Sequence, residues 1–235
     1  MASVPVARSA RGLRRETVPM TGPAASGEPH GDLELVLASG SPYRAAMLAS
    51  EGITATIDPP EVDERALDHL FDELGPVGFA LELARRKASD VAPRHRDAVV
   101  LGADQVGVLD VGGTAVQLTK QPDEDTAVDQ LLRMSGSTHR LVNGIVLVHL
   151  RSGRVVEGVD EQVVTMRRFD EAEARAYVRR FAPYDSSGSY RIEDQIEMGE
   201  GEGFVVDVAG EDPSGVQGLP VPLVRRMLAS MHAPD

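Results

Sequence analysis

Small hydroxyl residues beside an arginine, isolated lysines, and carboxylates set among apolar strand formers give this sequence the means to handle a phosphorylated substrate. Ser39-Gly40-Ser41-Pro42-Tyr43-Arg44 lies between a short apolar run and an expected helix start. Free backbone N–H groups at a helix N-terminus, the hydroxyls of Ser39 and Ser41 and the Arg44 guanidinium together make a cradle for phosphate oxygens. The same residues also describe an ordinary strand-to-helix turn with a serine cap. Pro60-Glu61-Val62-Asp63-Glu64 gathers carboxylates that either reach a divalent cation or are simply solvated. Lys87 is expected on the polar side of a helix, where its ammonium serves a phosphate or only solubility. Asp104, within Gly102-Ala103-Asp104-Gln105, interrupts a run of β-formers, and burying a carboxylate there is costly without a metal, a cation or hydrogen-bond donors. Lys120 stands ahead of a helix start, where its charge opposes the helix dipole and calls for a phosphate or for solvent. The polar run Ser186–Glu193 reads as a recognition loop or a connector, and Gly218-Leu219-Pro220 as the approach to a last helix.

The elements that must position these groups follow from periodicity. Residues 35–38 form a short buried strand, and Ala45, Ala46, Leu48 and Ala49 form a helix that Pro42 opens and Gly52 stops. A second helix runs from about Val77 through Val91, with Phe79, Leu83, Ala84 and Ala88 on one face. A strand enters at Ala98–Leu101 and resumes at Val106, Val108 and Leu109; Asp110-Val111-Gly112-Gly113 then turns it into Thr114-Ala115-Val116. Pro122-Asp123-Glu124-Asp125 places acidic residues at the positive end of a helix that buries Ala127, Val128, Leu131 and Leu132. Two antiparallel strands, roughly 141–150 and 155–166, are joined by Arg151-Ser152-Gly153. A helix over 171–181, a strand over 204–208 and a closing helix over 222–231 complete an α/β (α+β) pattern: a mixed, twisted sheet flanked by helices. Residues 1–31, with arginines scattered among Ala, Ser, Gly and Pro, are expected to be a disordered tail, and 32–235 one domain.

Composition narrows the partners. The 235 residues are 42% hydrophobic and 26% charged, with no apolar run of membrane-spanning length, so a soluble protein without a membrane partner is expected. A net charge of −13 argues against a surface devoted to nucleic-acid backbones, while a local cluster of bases can still bind a small anion. With no cysteine, any metal must be held by oxygen or histidine, which suits hard cations such as magnesium.

Taken in order, LVLASGSPYR at 35–44, PEVDE at 60–64, ARRKA at 84–88, LGADQVGVLD at 101–110, TKQP at 119–122, the Ser-Gly-x-Thr-His at 135–139, YDSSGSYRIE at 184–193 and VQGLPVPLV at 216–224 resemble the Maf family of nucleotide pyrophosphatases. The resemblance spans nearly everything from Leu33 to Met231. It implies a fold shared with the inosine-triphosphatase group, hydrolysis between the α and β phosphates of a nucleoside triphosphate, a divalent metal cofactor (Mg2+ or Mn2+), a homodimer and a cytoplasmic location. Carried over by position, it implies that Asp104 activates the attacking water or helps hold the metal. Glu64 would be a metal-associated carboxylate, and Ser39, Ser41, Arg44, Lys87 and Lys120 would grip the phosphates. Tyr43, Gln105 and Glu193 would select the base, and they look like the subgroup acting on 7-methyl-GTP. An aromatic ring can stack on a cationic methylated guanine, and a carboxylate can accept from guanine N1–H and its exocyclic amine. Two alternatives stay open: a broader housekeeping pyrophosphatase for dTTP, UTP and other triphosphates, and a regulatory protein of cell division that acts by binding.

Overall fold

Residues 14–17, 33–199 and 201–231 are described by the computed structural model. In chain order the elements are β1 (Arg14–Thr17), β2 (Leu35–Ala38), α1 (Pro42–Ser50), β3 (Thr56–Ile57), a 3-10 turn (Arg65–Leu70) and α2 (Phe71–Val91). Then come β4 (Val99–Val111), β5 (Thr114–Leu118), α3 (Glu124–Met134), β6 (Thr138–His149), β7 (Arg154–Met166) and α4 (Glu171–Phe181). The chain ends with α5 (Asp194–Met198), β8 (Val205–Gly210), a 3-10 turn (Pro213–Gln217) and α6 (Val221–Met231). Within the expected tail, Arg14–Thr17 is instead a strand parallel to the start of β7; the remainder of that segment lies outside the described residues. The second helix begins six residues before Val77, because Gly75 takes a left-handed φ of 66° that joins a first turn to the main body across a kink.

All eight strands among the described residues belong to one mixed sheet, ordered β1-β7-β6-β4-β2-β3, with β5 on β4 and β8 on β7. The long central strands have split edges. On one side β4 pairs with β6 along Val100–Val108; on the other it is parallel to β2 only through Gly102 and antiparallel to β5 only from Gly107. Residues 103–106 therefore face a notch, where one neighbour has already turned away and the next has not begun. In an open α/β sheet such a crevice beyond a strand's carboxyl end is where ligands bind.

Alternation along the strands sends Leu35, Leu37, Leu101, Ala103 and Leu147 to a core under α6, whose Leu223, Val224 and Met227 fill it. Val36, Ala38, Val100, Val146 and Val148 go to the opposite core under α2. A third core, around Leu118, Leu131, Met134, Tyr177 and Phe204, joins α3 and α4 to the far end of the sheet, with Phe169 and Phe204 stacked at 4.1 Å.

Two glycines let α2 lie unusually close to the sheet. A Cβ on Gly102 would sit 2.1 Å from the Ala84 carbonyl oxygen, and one on Gly144 2.4 Å from the Ala80 carbonyl. Only the bare backbone of β4 and β6 admits the helix at that distance.

Candidate functional site

The notch in β4 opens into a cleft of about 750 Å³ lined by Ser39, Ser41, Arg44, Glu64, Lys87, Asp104 and Lys120 among others. All the phosphate-binding, metal and catalytic candidates from the sequence thus border one cavity, brought from the β2–α1 loop, the 3-10 turn, α2, β4 and the segment after β5. Each is placed by its element. Ser41 caps α1, its hydroxyl accepting from the Arg44 backbone N–H at 3.4 Å, with Pro42 in the first turn. The buried Ser39 hydroxyl accepts from the Ser41 N–H at 3.2 Å, which tightens the loop around the helix start. Arg44 is pinned to the sheet edge: its Nη1 donates to the Ala103 carbonyl at 2.9 Å, a group the notch leaves without a strand partner, and its Nε donates to the Gly218 carbonyl at 3.0 Å. Burial pushes its guanidinium below its ordinary value, while the carboxylates of Asp104 and Glu64 push the other way.

Lys87 corrects the sequence reading. It is not on the polar side of α2 but buried, only 6% exposed, because it is four residues beyond Leu83 and three beyond Ala84, within the apolar stripe itself. Gly102 accepts α2 against β4 at Ala84 and Ala88, and Asp104, two residues further along the same face of the strand, therefore meets Lys87. The Lys87 ammonium donates to Asp104 and lies 2.6 Å from Glu64 Oε1. A buried carboxylate requires such a partner. Burial works to raise the Glu64 pKa, but the ammonium of Lys87, then Lys120 at 3.9 Å and Arg44, together hold it below the usual carboxylate value.

The two carboxylates converge on one point, where Lys87 supplies the positive charge. No group of three or more acidic or histidine residues that could enclose a metal occurs among the described residues. An arrangement of two carboxylates opening onto a cleft fits magnesium, which typically takes one or two protein carboxylates and completes its shell with water and substrate phosphates.

On the other face of β4, Gln105 points to a second cavity of about 400 Å³ that also receives Tyr43 and Glu193. The three base-selecting candidates therefore share one pocket, and Gly40, Ser41, Arg44, Gln105, Asp185, Ser186 and Ser187 border both cavities and make them continuous. Tyr43 is 49% exposed, which leaves it open for stacking. The 186–193 loop is held rather than loose: Ser186 Oγ donates to the Tyr190 carbonyl at 2.6 Å, Gln130 Nε2 to Ser189 Oγ at 2.8 Å, and Tyr190 OH lies 2.7 Å from His139 Nε2. Burial drives the His139 pKa down to about 4 and also raises that of Tyr190, so the pair is neutral.

Sequence reasoning missed Arg65 and Asp68 from the 3-10 turn, Asp185, and the Gly218 carbonyl that anchors Arg44. Asp185 was within a recognised run but carried no signal of its own. Arg65 was hidden because the 3-10 turn lacks helical periodicity.

Comparison with known proteins places the chain in a family. The chain is 34% identical over 200 residues to the 7-methyl-GTP pyrophosphatase of Nitrosococcus oceani, covering 85% of this chain and 94% of that one. It is 34% identical over 196 residues to the nucleoside triphosphate pyrophosphatase of Corynebacterium diphtheriae, covering 83% and 93%. It is also 34% identical over 162 residues to the dTTP/UTP pyrophosphatase of Dehalococcoides mccartyi, covering 69% of each chain. The model of the family described as Maf-like protein matches residues 34–231, from the first residue before β2 to the last of α6, and the chain belongs to that family.

Proposed function

We propose that this protein is a nucleoside triphosphate pyrophosphatase: water attacks the α-phosphorus, the α–β anhydride bond breaks, and a nucleoside monophosphate and pyrophosphate leave. The observation that carries the reading is the single cleft into which Asp104, Arg44, Lys87 and Lys120 all project although they are far apart in sequence. In this arrangement Arg44, Lys87 and Lys120, with the N–H groups at the start of α1, bind the polyphosphate and oppose the charge that builds on the departing pyrophosphate. Asp104 takes the proton of the attacking water, its carboxylate aimed by Lys87. Asp104 and Glu64 would hold a divalent cation, which when bound neutralises phosphate charge and polarises the phosphoryl group. The Mg2+ or Mn2+ requirement, a homodimeric state and a cytoplasmic location remain parts of the proposal; no helix among the described residues is long and apolar enough to cross a membrane.

The smaller cavity supports a preference for 7-methyl-GTP or a related modified purine nucleotide. Tyr43 offers an open ring for stacking on a cationic base. Glu193, with no ion-pair or hydrogen-bond partner for its side chain among the described residues, offers two acceptors to guanine N1–H and the exocyclic amine. Uracil and thymine lack that pair of donors, and a site built on hydrogen bonds rejects ligands without them strongly.

Pyrophosphate release measured over 7-methyl-GTP, GTP, dTTP and UTP, with and without magnesium, tests both levels. Activity with a 7-methyl-GTP preference is expected, and an Asp104→Asn protein should lose about 10²- to 10⁴-fold in turnover. Undiminished turnover in Asp104→Asn would overturn the assigned mechanism, and a pyrimidine preference would overturn the base selection.

A further inference from the structure

Behind Gln105 lies a row of buried polar side chains that no step above uses. Gln105, Asn143 and Asp160 are direct partners across three adjacent strands: β4 pairs with β6 at Gln105–Asn143, and β6 with β7 at Asn143–Asp160. Asn143 is fully buried, Asp160 is 3% exposed, and Gln162, two residues along β7, is fully buried as well. Such a row is expensive to bury unless each member has its partners. Here nearly all do: Gln162 Nε2 donates to both Asp160 oxygens at 3.0 and 2.9 Å, and Asn143 Nδ2 donates to Asp160 Oδ2 at 2.9 Å. Gln105 Nε2 in turn donates to Asn143 Oδ1 at 3.2 Å.

The row has a direction. Asp160, when ionised, only accepts, so the nitrogen of Asn143 must face it and the oxygen of Asn143 must face Gln105. That oxygen can only accept, which turns the nitrogen of Gln105 inward. The carbonyl of Gly215 closes the arrangement, accepting from Gln105 Nε2 and Asn143 Nδ2, each at 2.9 Å. A Cβ on Gly215 would lie 2.1 Å from Asp160 Oδ2, so the 213–217 turn is seated directly on the carboxylate. With both amide hydrogens committed inward, Gln105 Oε1 is left toward the junction of the two cavities, and no donor among the described residues reaches it.

From this chain of bonds we infer that Asn143 and Asp160 are positioning residues for base selection: they fix the Gln105 amide so that it presents an acceptor, never a donor, to the nucleotide. The inference rests on the reading that a nucleotide fills the two cavities. A base with a donor facing Gln105 is favoured, and one with an acceptor there meets an opposed dipole it cannot turn.

The test compares kcat and KM for the best and worst substrates of the nucleotide panel in the parent, Asp160→Asn and Asn143→Ala, each shown by thermal melting to be folded. Asp160→Asn keeps the shape but can donate as well as accept, so the Asn143 amide can turn its nitrogen toward Gln105 and the Gln105 amide is then held inward only by the Gly215 and Val216 carbonyls. Asn143→Ala breaks the relay and leaves Asp160 with Gln162, so a folding failure in one still leaves the other. The ratio of kcat/KM between the two substrates is expected to fall roughly three- to tenfold, the worth of one hydrogen bond, mostly through KM for the favoured one. In a Gln105→Leu background neither substitution should change the ratio further. An unchanged ratio, an equal loss of kcat on both substrates, or the same drop in the Gln105→Leu background would overturn the inference while the pyrophosphatase reading stands. A parent that releases no pyrophosphate from any nucleotide overturns both.

Discussion

Replacing Lys87 by methionine isolates the electrostatic core of the site. The side chains are of similar length, so the buried position on α2 stays filled while the positive charge disappears. Lys87 and Asp104 are each 6% exposed, and removing one partner from a buried ion pair costs about 3–5 kcal/mol because the other charge stays buried and uncompensated. The second contact, to Glu64, contributes little in comparison: the Glu64 side chain is 39% exposed, and a pair so open to water is worth about 0–1 kcal/mol. For a domain of this size each kcal/mol moves the melting temperature by roughly 2–4 °C, so Lys87→Met should melt about 10 °C below the parent. The asymmetry is the sharper part. Asp104→Asn leaves Lys87 paired with Glu64 and should cost clearly less, and adding Asp104→Leu to Lys87→Met should recover stability, since the orphaned carboxylate is then gone. Differential scanning calorimetry of the three variants and the parent decides it. A Lys87→Met protein melting within about 2 °C of the parent, or a double variant less stable than Lys87→Met, would refute the claim that this pair is buried and mutually dependent.

Other perturbations follow from the same geometry. Gly102→Ala forces a methyl group to 2.1 Å from the Ala84 carbonyl oxygen; lifting α2 to make room should cost about 1–3 kcal/mol or more in urea unfolding and lower turnover further by separating Lys87 from Asp104. His139 titrates at about 4 in the fold against 6.5 when unfolded, so the unfolded chain takes the proton first as pH falls. The stability this neutral histidine contributes is complete above about pH 6.5 and disappears toward pH 4, a loss of about 2 kcal/mol between pH 7 and pH 5 that should be absent in His139→Phe urea titrations. Lys120 is half exposed and 3.9 Å from Glu64, so Lys120→Ala should raise KM about three- to tenfold, less at high salt, with a melting temperature within about 2 °C of the parent.

Much of the fold was legible because its elements announce themselves locally. Asp123 before Glu124-Asp125 caps α3, and Asp170 with Glu173 forms the capping box of α4, so both helices fall where acidic residues and apolar spacing place them. The Gly112-Gly113 hairpin and the Gly153 turn set the registers of β4, β5, β6 and β7. What was not legible depends on distant partners. Residues 14–17 become a strand only because β7 offers an unpaired edge, and β3 is two residues long. Lys87 was legible in principle: its spacing from Ala80, Leu83 and Ala84 marks an apolar stripe, and a lysine there signals a buried anion. The pull of residue type toward the polar face concealed it. Asn143 offered no such cue, since one amide within a strand of Val, Ile and Leu declares its role only when the strands beside it are known.

The alternation of a single strand divides the work of this site. Asp104 and Gln105 are consecutive in β4, and because neighbouring side chains of a strand leave on opposite faces, one reaches Lys87 under α2 and the other reaches Asn143 and the 213–217 turn. In the proposed function, the chemistry is thereby assigned to the α2 side of the sheet and base selection to the α6 side, and the notch at 103–106 opens toward both cavities. Substitutions in the Asn143–Asp160 row can then retune which base is accepted without moving the groups that bind the phosphates. Substitutions at Gly102 or Lys87 should instead depress turnover on every nucleotide alike. A one-residue slip of β4 would send Asp104 and Gln105 to the wrong faces, and Gly102 under Ala84 opposes it, since a side chain brought to that contact would force α2 away from the sheet.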